Sequence, residues 1–169
     1  MSLSLILGGV RSGKSRLGLQ IARSWQLPVV VIATAEPLDE EMAARIARHR
    51  AERPTGWRTI EEPIDLSWAL DQAPDNTGVL IDCLTLWVSN LIGKGASDEE
   101  VLRSSAVVAG SAAERPGPVV AISNEVGWGI VPDNALARRY SELLGSVNNE
   151  WSRAAQESLL VVAGRTVRL

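Results

Sequence analysis

The segment GGVRSGKS, residues 8–15, limits the possible folds of this chain more than any other feature of its sequence. It matches the pattern G-x-x-x-x-G-K-[ST] completely, between an apolar run, LSLIL, and a helix-like segment, SRLGLQIARSW. The loop consists of Gly8, Gly9, Val10, Arg11, Ser12, Gly13, Lys14 and Ser15. In such a loop, backbone N–H groups and the lysine bind phosphate oxygens, and the hydroxyl binds Mg²⁺. The alternative is an ordinary glycine-rich turn, but the strand and helix flanks favour a phosphate-binding loop.

Four apolar runs rich in β-branched residues indicate the fold class. LSLIL, PVVVIAT, GVLID and PVVAIS alternate with longer segments that have helical patterns, which predicts an α/β protein. Runs as continuously apolar as these are typical of parallel strands covered by helices on both faces. The end of the chain, LLVVAGRTVRL, instead predicts an antiparallel hairpin at the edge of the sheet. In the least regular stretch, Ser97 and the acidic residues after it predict a helix start.

Length and composition indicate the number of domains and the cellular location of the protein. The 169 residues suit one core, so we expect a single domain over residues 1–169. The net charge of −3 argues against a protein that coats nucleic acid. The single cysteine, Cys83, cannot form an internal disulfide and is expected to be a buried, reduced thiol without a catalytic role. Neither a signal peptide nor an apolar run of about 20 residues is evident, which predicts a cytoplasmic protein without a membrane span.

Two acidic residues follow apolar runs and are candidates for a role in catalysis. Asp82 ends the run VLID and could be the carboxylate that organises Mg²⁺ beside a phosphate loop. The alternative for Asp82 is a capping role at the helix that starts near Leu84. Glu125 follows VVAIS, and it could either bind a metal or act as a base, or support the glycine-rich loop after it.

The only histidine, His49, lies in a helical pattern bounded by Pro37 and Pro54. Acidic residues 39–41 are expected in the first turn of this helix, where they favour the helix dipole. The apolar positions are Leu38, Met42 and Ile46. Because His49 follows the last of these by three residues, it projects near the apolar stripe. This pattern alone favours a half-buried structural histidine.

The end of this helix also carries four arginines, Arg45, Arg48, Arg50 and Arg53. The first and last lie four residues from His49, so they can share its face, while the other two lie to either side. Like charges this close repel each other, and a bound polyanion would offset the repulsion. Cationic neighbours also disfavour protonation of the imidazole, which predicts a neutral His49 able to attack phosphorus. The alternative is a solvated surface on which Glu41 and Glu52 pair with the arginines.

Five segments together resemble a known enzyme family. They are GGVRSGKS, IATAEPLDEEMAARIARHRAERP, WRTIEEP, VLIDCLTLWVSNLI and ISNEVGWGIVPDNALARRY. They are similar to the bifunctional adenosylcobinamide kinase / adenosylcobinamide-phosphate guanylyltransferases of cobalamin biosynthesis, over nearly the whole chain. The blocks RI-x-x-HR-x-x-RP and NEVG-x-GIVP carry the resemblance with more specificity than the phosphate loop does.

The resemblance implies two reactions on small molecules. The first phosphorylates adenosylcobinamide with ATP or GTP, and the second transfers GMP from GTP to adenosylcobinamide phosphate through a covalent GMP-histidine at His49, with Mg²⁺ as cofactor. It also implies a RecA-like P-loop fold and a homotrimer. Besides the phosphate loop with its Lys14, the implied nucleotide contacts are Ala33, Thr34, Ala35, Arg50, Ala51, Glu52, Arg53, Glu61 and Asp82. Ser15 and Asp82 are the implied metal ligands.

Departures from the family pattern are few. Val10 replaces a usual alanine, Trp128 occupies the variable position of NEVG-x-GIVP, and GSVNNEW replaces a more usual G-R-V-N-Q ending. The GSVNNEW segment differs from the family at positions that the resemblance implies for contacts to the corrinoid. Two other functions fit the residues: a P-loop kinase of a small alcohol with a structural His49, and a non-enzymatic nucleotide switch that binds a partner protein.

Overall fold

The computed structural model describes residues 2–169, in which seven strands form one sheet of order β3-β2-β4-β5-β1-β6-β7. The strands are β1 (Leu3–Gly8), β2 (Val29–Ala33), β3 (Arg58–Glu61), β4 (Gly78–Asp82), β5 (Val119–Ile122), β6 (Glu157–Val162) and β7 (Arg165–Arg168). All neighbouring strands are parallel except β6 and β7, which form the predicted antiparallel edge hairpin. The parallel strands therefore end at one edge of the sheet, where the loops after them meet.

The helices between the strands cover both faces of the sheet. They are α1 (Lys14–Ser24), α2 (Glu40–Ala51), α3 (Leu66–Asp71), α4 (Leu84–Gly93), α5 (Asp98–Glu114) and α6 (Ala135–Ala154). Successive β1 residues point to opposite sides: Leu5 belongs to the core under α3 to α6, and Ile6 to the core under α1. The α/β prediction, with helices on both faces, is therefore confirmed.

The helix boundaries confirm the predicted start of α5 and correct the predicted start of α2. Helix α5 begins with a complete capping box, in which Ser97 and Glu100 bond each other's backbone N–H groups, as Ser97 predicted. Asp39 precedes α2 instead of lying in its first turn, because its side chain accepts a hydrogen bond from the Met42 N–H, which is the role of an N-cap. Leu38 is exposed before the helix and does not extend the apolar stripe.

Strand β3 is an element that hydrophobic periodicity did not indicate. It is only four residues long, and Ile60 is its single buried residue. It lies at the edge of the sheet and pairs only with β2. Pairing with this one strand and burial of one side chain therefore stabilise it. None of the helices formed by residues 2–169 combines the length and apolar character needed to cross a membrane.

Candidate active site

The phosphate loop joins the end of β1 to the start of α1. A Cβ on Gly8 would overlap the carbonyl oxygen of Val161, and Gly13 has a left-handed φ of 108°, so both positions require glycine. Gly13 is also the N-cap of α1 and offers no side-chain hydrogen bond, which leaves the first N–H groups of the helix free for an anion. Lys14 donates from Nζ to the carbonyl oxygen of Gly9 at 2.7 Å, and burial lowers its pKa.

A cavity of about 540 Å³ opens beside this loop. Its walls come from the loop, the ends of β2, β3 and β4, the start of α4 and one face of α2. The sequence-predicted residues that line it are Val10, Arg11, Ser12, Gly13, Lys14, Ser15, Ala33, Ala35, His49, Glu52, Arg53, Glu61 and Asp82. The fold thus brings the phosphate loop and the histidine block, which lie about 35 residues apart along the chain, to one cavity.

Asp82 is the last residue of β4 and lies beside His49. Its Oδ2 atom is 3.6 Å from Nδ1 of His49, and both side chains are mostly buried. The alternative in which Asp82 caps α4 is wrong, because Cys83 occupies the N-cap position. The pKa of the Cys83 thiol is raised to about 11, first by burial and then by the Asp82 charge, which agrees with the expected inert thiol.

The arginines at the end of α2 divide between the cavity and its outer side. Arg45, Arg48 and Arg53 line the cavity. Arg53 also donates to Oγ1 of Thr59 at 3.0 Å, and burial lowers its pKa against the opposing effect of Asp82. Arg50 instead forms an ion pair with Glu61.

The solvated-surface alternative for the arginine cluster is wrong in its named partners. In the part of the chain that the structure describes, neither Glu41 nor Glu52 forms an ion pair with an arginine. Both acids line the cavity. Arg45, Arg48 and Arg53 therefore face the open volume of the cavity without an ion pair to either of these two acids.

Some predicted nucleotide contacts do not line the cavity: Gly8, Gly9, Thr34, Arg50 and Ala51. Thr34 is fully buried, and its hydroxyl donates to the carbonyl oxygen of Cys83 at 2.7 Å and accepts from the Cys83 N–H at 2.9 Å. Its hydroxyl is thereby engaged within the protein, where it ties β2 to β4. Ala51 is exposed at the end of α2.

Thr85 and Asn124 are among the residues of the cavity wall that the sequence analysis does not identify as site residues. Asn124 lies just after the end of β5, and Asp82 is the last residue of β4. A polar residue at the end of a parallel strand is a sequence signal that indicates Asn124 as a site residue. Glu125, the next residue, accepts a hydrogen bond from the Gly127 N–H at 2.7 Å. This contact favours the loop-supporting interpretation of Glu125 over a role as metal ligand or base.

Ser15 and Asp82 have the donor chemistry that Mg²⁺ prefers. A hydroxyl and a carboxylate lining one cavity suit a hard cation that takes its other ligands from phosphate and water. Within residues 2–169, no three His, Cys, Asp or Glu side chains cluster closely enough to hold a metal by themselves. The residues present fit Mg²⁺ bound together with a nucleotide.

Comparison with known proteins identifies the family. The family model described as cobinamide kinase / cobinamide phosphate guanyltransferase matches residues 4–169. The chain belongs to this family. The cobinamide kinase / guanyltransferase assignment excludes a purely non-enzymatic switch.

Relatives with assigned roles match along almost their whole length. A bifunctional adenosylcobalamin biosynthesis protein CobP of Pseudomonas aeruginosa is 42% identical over 162 residues, covering 95% of this chain and 92% of the relative. The CobU proteins of Salmonella typhimurium and Escherichia coli are 39% and 40% identical, and each comparison covers 98% of both chains. Identity at this level over the full chain places this cobinamide kinase / guanyltransferase among enzymes of cobalamin biosynthesis.

Solved structures confirm the fold. The RadB recombinase superposes with a TM-score of 0.53 at 17% identity, covering 94% of this chain and 73% of the recombinase. A prototypical ATPase from the type III secretion system of pathogenic bacteria superposes with a TM-score of 0.58 at 15% identity, covering 94% of this chain and 50% of the ATPase. The RecA-like P-loop architecture expected for a cobinamide kinase / guanyltransferase is therefore confirmed.

Proposed function

We propose that this enzyme runs both reactions of its family at one nucleotide site, and that GMP passes through a covalent bond to His49. It phosphorylates adenosylcobinamide with ATP or GTP, then transfers GMP from GTP to that phosphate to give adenosylcobinamide-GDP. The observation that carries the proposal is that Lys14, His49 and Asp82 line the same cavity. A phosphate-binding lysine, a nucleophile and a metal carboxylate in one place can serve transfer from either the γ- or the α-phosphorus.

The guanylyl transfer consists of two displacements at phosphorus. A ring nitrogen of His49 attacks the α-phosphorus of GTP, the N–P bond forms, and the P–O bond to pyrophosphate breaks. An oxygen of adenosylcobinamide phosphate then attacks the same phosphorus, and the N–P bond breaks. Arg45, Arg48 and Arg53 line the cavity and would stabilise the negative charge that develops in both steps.

The kinase reaction uses the phosphate loop. Lys14 and the backbone N–H groups at the start of α1 bind and orient the β- and γ-phosphates, while the acceptor hydroxyl lies in line with the γ-phosphorus. Ser15 and Asp82 are the residues that would hold Mg²⁺. When bound, the ion neutralises charge that builds up on the phosphates.

Location and assembly are part of the same proposal. We infer a cytoplasmic enzyme with one domain over residues 1–169 that binds neither nucleic acid nor membrane. The resemblance supports a homotrimer in addition. Light scattering after size-exclusion chromatography tests the trimer, since a monomeric mass at micromolar concentration would contradict it.

Covalent labelling tests the histidine step directly. Wild-type protein incubated with Mg²⁺ and GTP labelled at the α-phosphate should acquire label that is stable in alkali and lost in acid. Cleavage after glutamate releases the peptide 42–52, and because the chain contains one histidine, a GMP adduct on this peptide identifies His49.

The matched control is His49→Ala, which should bind GTP and remain unlabelled. Equal labelling of His49→Ala, or no labelling of wild-type protein, would show that the covalent mechanism is wrong. If His49→Ala in addition retained both the kinase and the guanylyltransferase activity, the histidine would be structural.

A further inference from the structure

Residues 124–136, which comprise the loop after β5 and the first two residues of α6, join the nucleotide cavity to a second groove and present large apolar side chains to solvent. We propose that this segment is the acceptor side of the site, where the corrin macrocycle of cobinamide, whose rim carries neutral methyl and amide groups, binds. Asn124 faces the end of the acceptor that carries the hydroxyl or phosphate. This inference rests on the proposed function, because it names the place where the second substrate of that function binds.

The start of this acceptor segment is held firmly beside the phosphate loop. The Asn124 N–H donates to Oγ1 of Thr85 at 2.7 Å, and the Asn124 carbonyl oxygen accepts from Nδ2 of Asn148 at 2.9 Å. The next N–H, of Glu125, donates to the carbonyl oxygen of Gly8 at 3.1 Å. Bonds to α4, α6 and β1 thus fix the backbone from three directions. Asn124 itself lines the cavity. A residue whose backbone is fixed in this way is suited to a pre-organised contact with a ligand.

The middle and end of the segment expose four large apolar side chains. The exposed fractions are 75% for Trp128, 98% for Ile130, 76% for Val131 and 59% for Leu136. Isolated exposed apolar residues are common, but several in one short segment indicate a surface that binds something. A rigid aromatic ring beside aliphatic side chains suits the flat face of a macrocycle.

The far end of the segment leads into a groove of about 390 Å³ between α4 and α6. The groove has no charged side chain in its lining, which includes Ile92, Leu136 and Tyr140. The Tyr140 hydroxyl donates to the carbonyl oxygen of Thr85 at 3.2 Å, and Thr85 lines the nucleotide cavity. This hydrogen bond links a residue of the groove wall to a residue of the cavity wall, and α4 contributes its first turn to the cavity and its second half to the groove.

The charges of the cavity and the groove indicate which ligand the two regions bind. The nucleotide cavity is lined by many charged side chains, among which lysine and arginine outnumber the carboxylates, whereas the groove is uncharged. Of the acids in the segment, Glu125 is turned back onto the Gly127 N–H, and Asp133 is exposed. Phosphorylated cobinamide has the same division, with an anionic phosphate on a short arm and a large macrocycle bordered by methyl and amide groups. A ligand of this chemistry spans both regions at once.

Variants of the exposed side chains test the macrocycle contact. Trp128→Ala combined with Ile130→Ser should raise the KM for adenosylcobinamide about tenfold or more, because the apolar contact is lost. Labelling of His49 by GTP alone requires no corrinoid, so it should proceed as in wild-type protein. Val107→Ser is the matched control, since Val107 is 57% exposed on α5, and it should leave both measurements unchanged.

A second variant tests the polar end. Asn124→Asp keeps the size of the side chain and adds a negative charge at the cavity wall. It should weaken binding of adenosylcobinamide phosphate more than binding of adenosylcobinamide, as measured by equilibrium dialysis without nucleotide. Equal weakening of the two would contradict the placement of Asn124 opposite the phosphate.

Three results would overturn the inference. One is an unchanged KM and dialysis constant for adenosylcobinamide in the Trp128 and Ile130 double variant. Another is a changed oligomeric mass in that variant, with His49 labelling lost in parallel, which would identify the segment as an interface between copies. The third is an equal effect of Val107→Ser. Failure of the proposed function is separate, because wild-type protein would then lack GMP labelling whether or not it bound corrinoid.

Discussion

At the scale of single residues, the hydroxyl of Thr34 links the ends of two strands beneath the candidate site. It bonds both backbone groups of Cys83, and the Thr34 carbonyl oxygen accepts from Nδ2 of Asn90 at 2.8 Å. The Thr34 N–H donates to the carbonyl oxygen of Asp82 at 3.1 Å. These contacts set the position of Asp82 relative to the end of β2, so a residue that does not line the cavity helps to define its geometry.

Replacing Thr34 by valine tests this positioning role. Thr34→Val keeps the shape of the side chain but leaves the N–H and carbonyl of Cys83 without their partner, at a cost of about 1–3 kcal/mol for each buried group left unpaired. We expect the urea midpoint of unfolding to fall, as followed by circular dichroism. Thr34→Ser retains the hydroxyl and should stay closer to wild type. A Thr34→Val protein as stable as wild type would show that these contacts make no net contribution to the free energy of unfolding.

The thiol of Cys83 gives a residue-scale prediction about pH. Because its pKa is raised to about 11, the folded protein holds the proton through the range in which an unfolded cysteine, with a pKa of about 8.5, loses it. Stability should therefore fall as pH rises from about 8.5 towards 11. Alkylation by iodoacetamide at pH 8 should be much slower in native protein than in urea. Equal rates in the two states would contradict the shift.

At the scale of elements, two helices begin in opposite ways. Helix α5 satisfies its first N–H groups with its own side chains through the Ser97 and Glu100 capping box. Helix α1 begins at Lys14, and its N-cap, Gly13, has no side chain that could accept a hydrogen bond from its first N–H groups. The first arrangement stabilises a helix, and the second leaves a site for an anion.

The capping box provides the element-scale prediction. Ser97→Ala removes the hydroxyl that accepts from the Glu100 N–H, and it should lower the free energy of unfolding by about 0.5–2 kcal/mol. Guanidinium unfolding measured by tryptophan fluorescence gives the value. Ser104→Ala, at an exposed position of the same helix, is the comparison and should have little effect. A similar loss in both variants would argue against a specific cap.

At the scale of the whole molecule, stability is distributed unevenly. The central strands are buried on both faces, whereas α2, which carries His49 and the arginines, has no buried residue. Elements with few buried apolar contacts open at low free-energy cost, and sites that must admit and release ligands are often built on them. The catalytic histidine of the proposal therefore lies on the least anchored face of the cavity.

Hydrogen exchange measures this difference. Amides of α2 should exchange faster than those of β1 and β5 in the free protein, because α2 is held by fewer buried contacts. Saturating GTP with Mg²⁺ should slow exchange in α2, while α6 serves as the internal reference and changes little. Exchange in α2 as slow as in the central strands, or unchanged by GTP, would show that the helix is already rigid or does not contact the nucleotide.

How far the sequence could predict this protein depended on the range of the interactions involved. The phosphate loop, the parallel strands, the edge hairpin and the start of α5 are encoded by neighbouring residues, and each was predictable from a short pattern. Strand β3 was missed because one buried residue, Ile60, makes no periodic pattern. The sequence predicts the helix α2 but not its lack of buried residues, since burial depends on what packs against a helix.

The sequence by itself therefore determined the class of fold, the phosphate loop and the presence of a histidine among arginines, because local spacing encodes them. Only the tertiary structure decided which side chains meet. The order of the strands places β2 beside β4, and this brings Nδ1 of His49 within 3.6 Å of Asp82 and turns Thr34 inward. Because β5 pairs with β1, the Glu125 N–H donates to the carbonyl oxygen of Gly8, which holds the neighbouring Asn124 near the phosphate loop. Strand order is set by packing over the whole chain, and no local pattern records it.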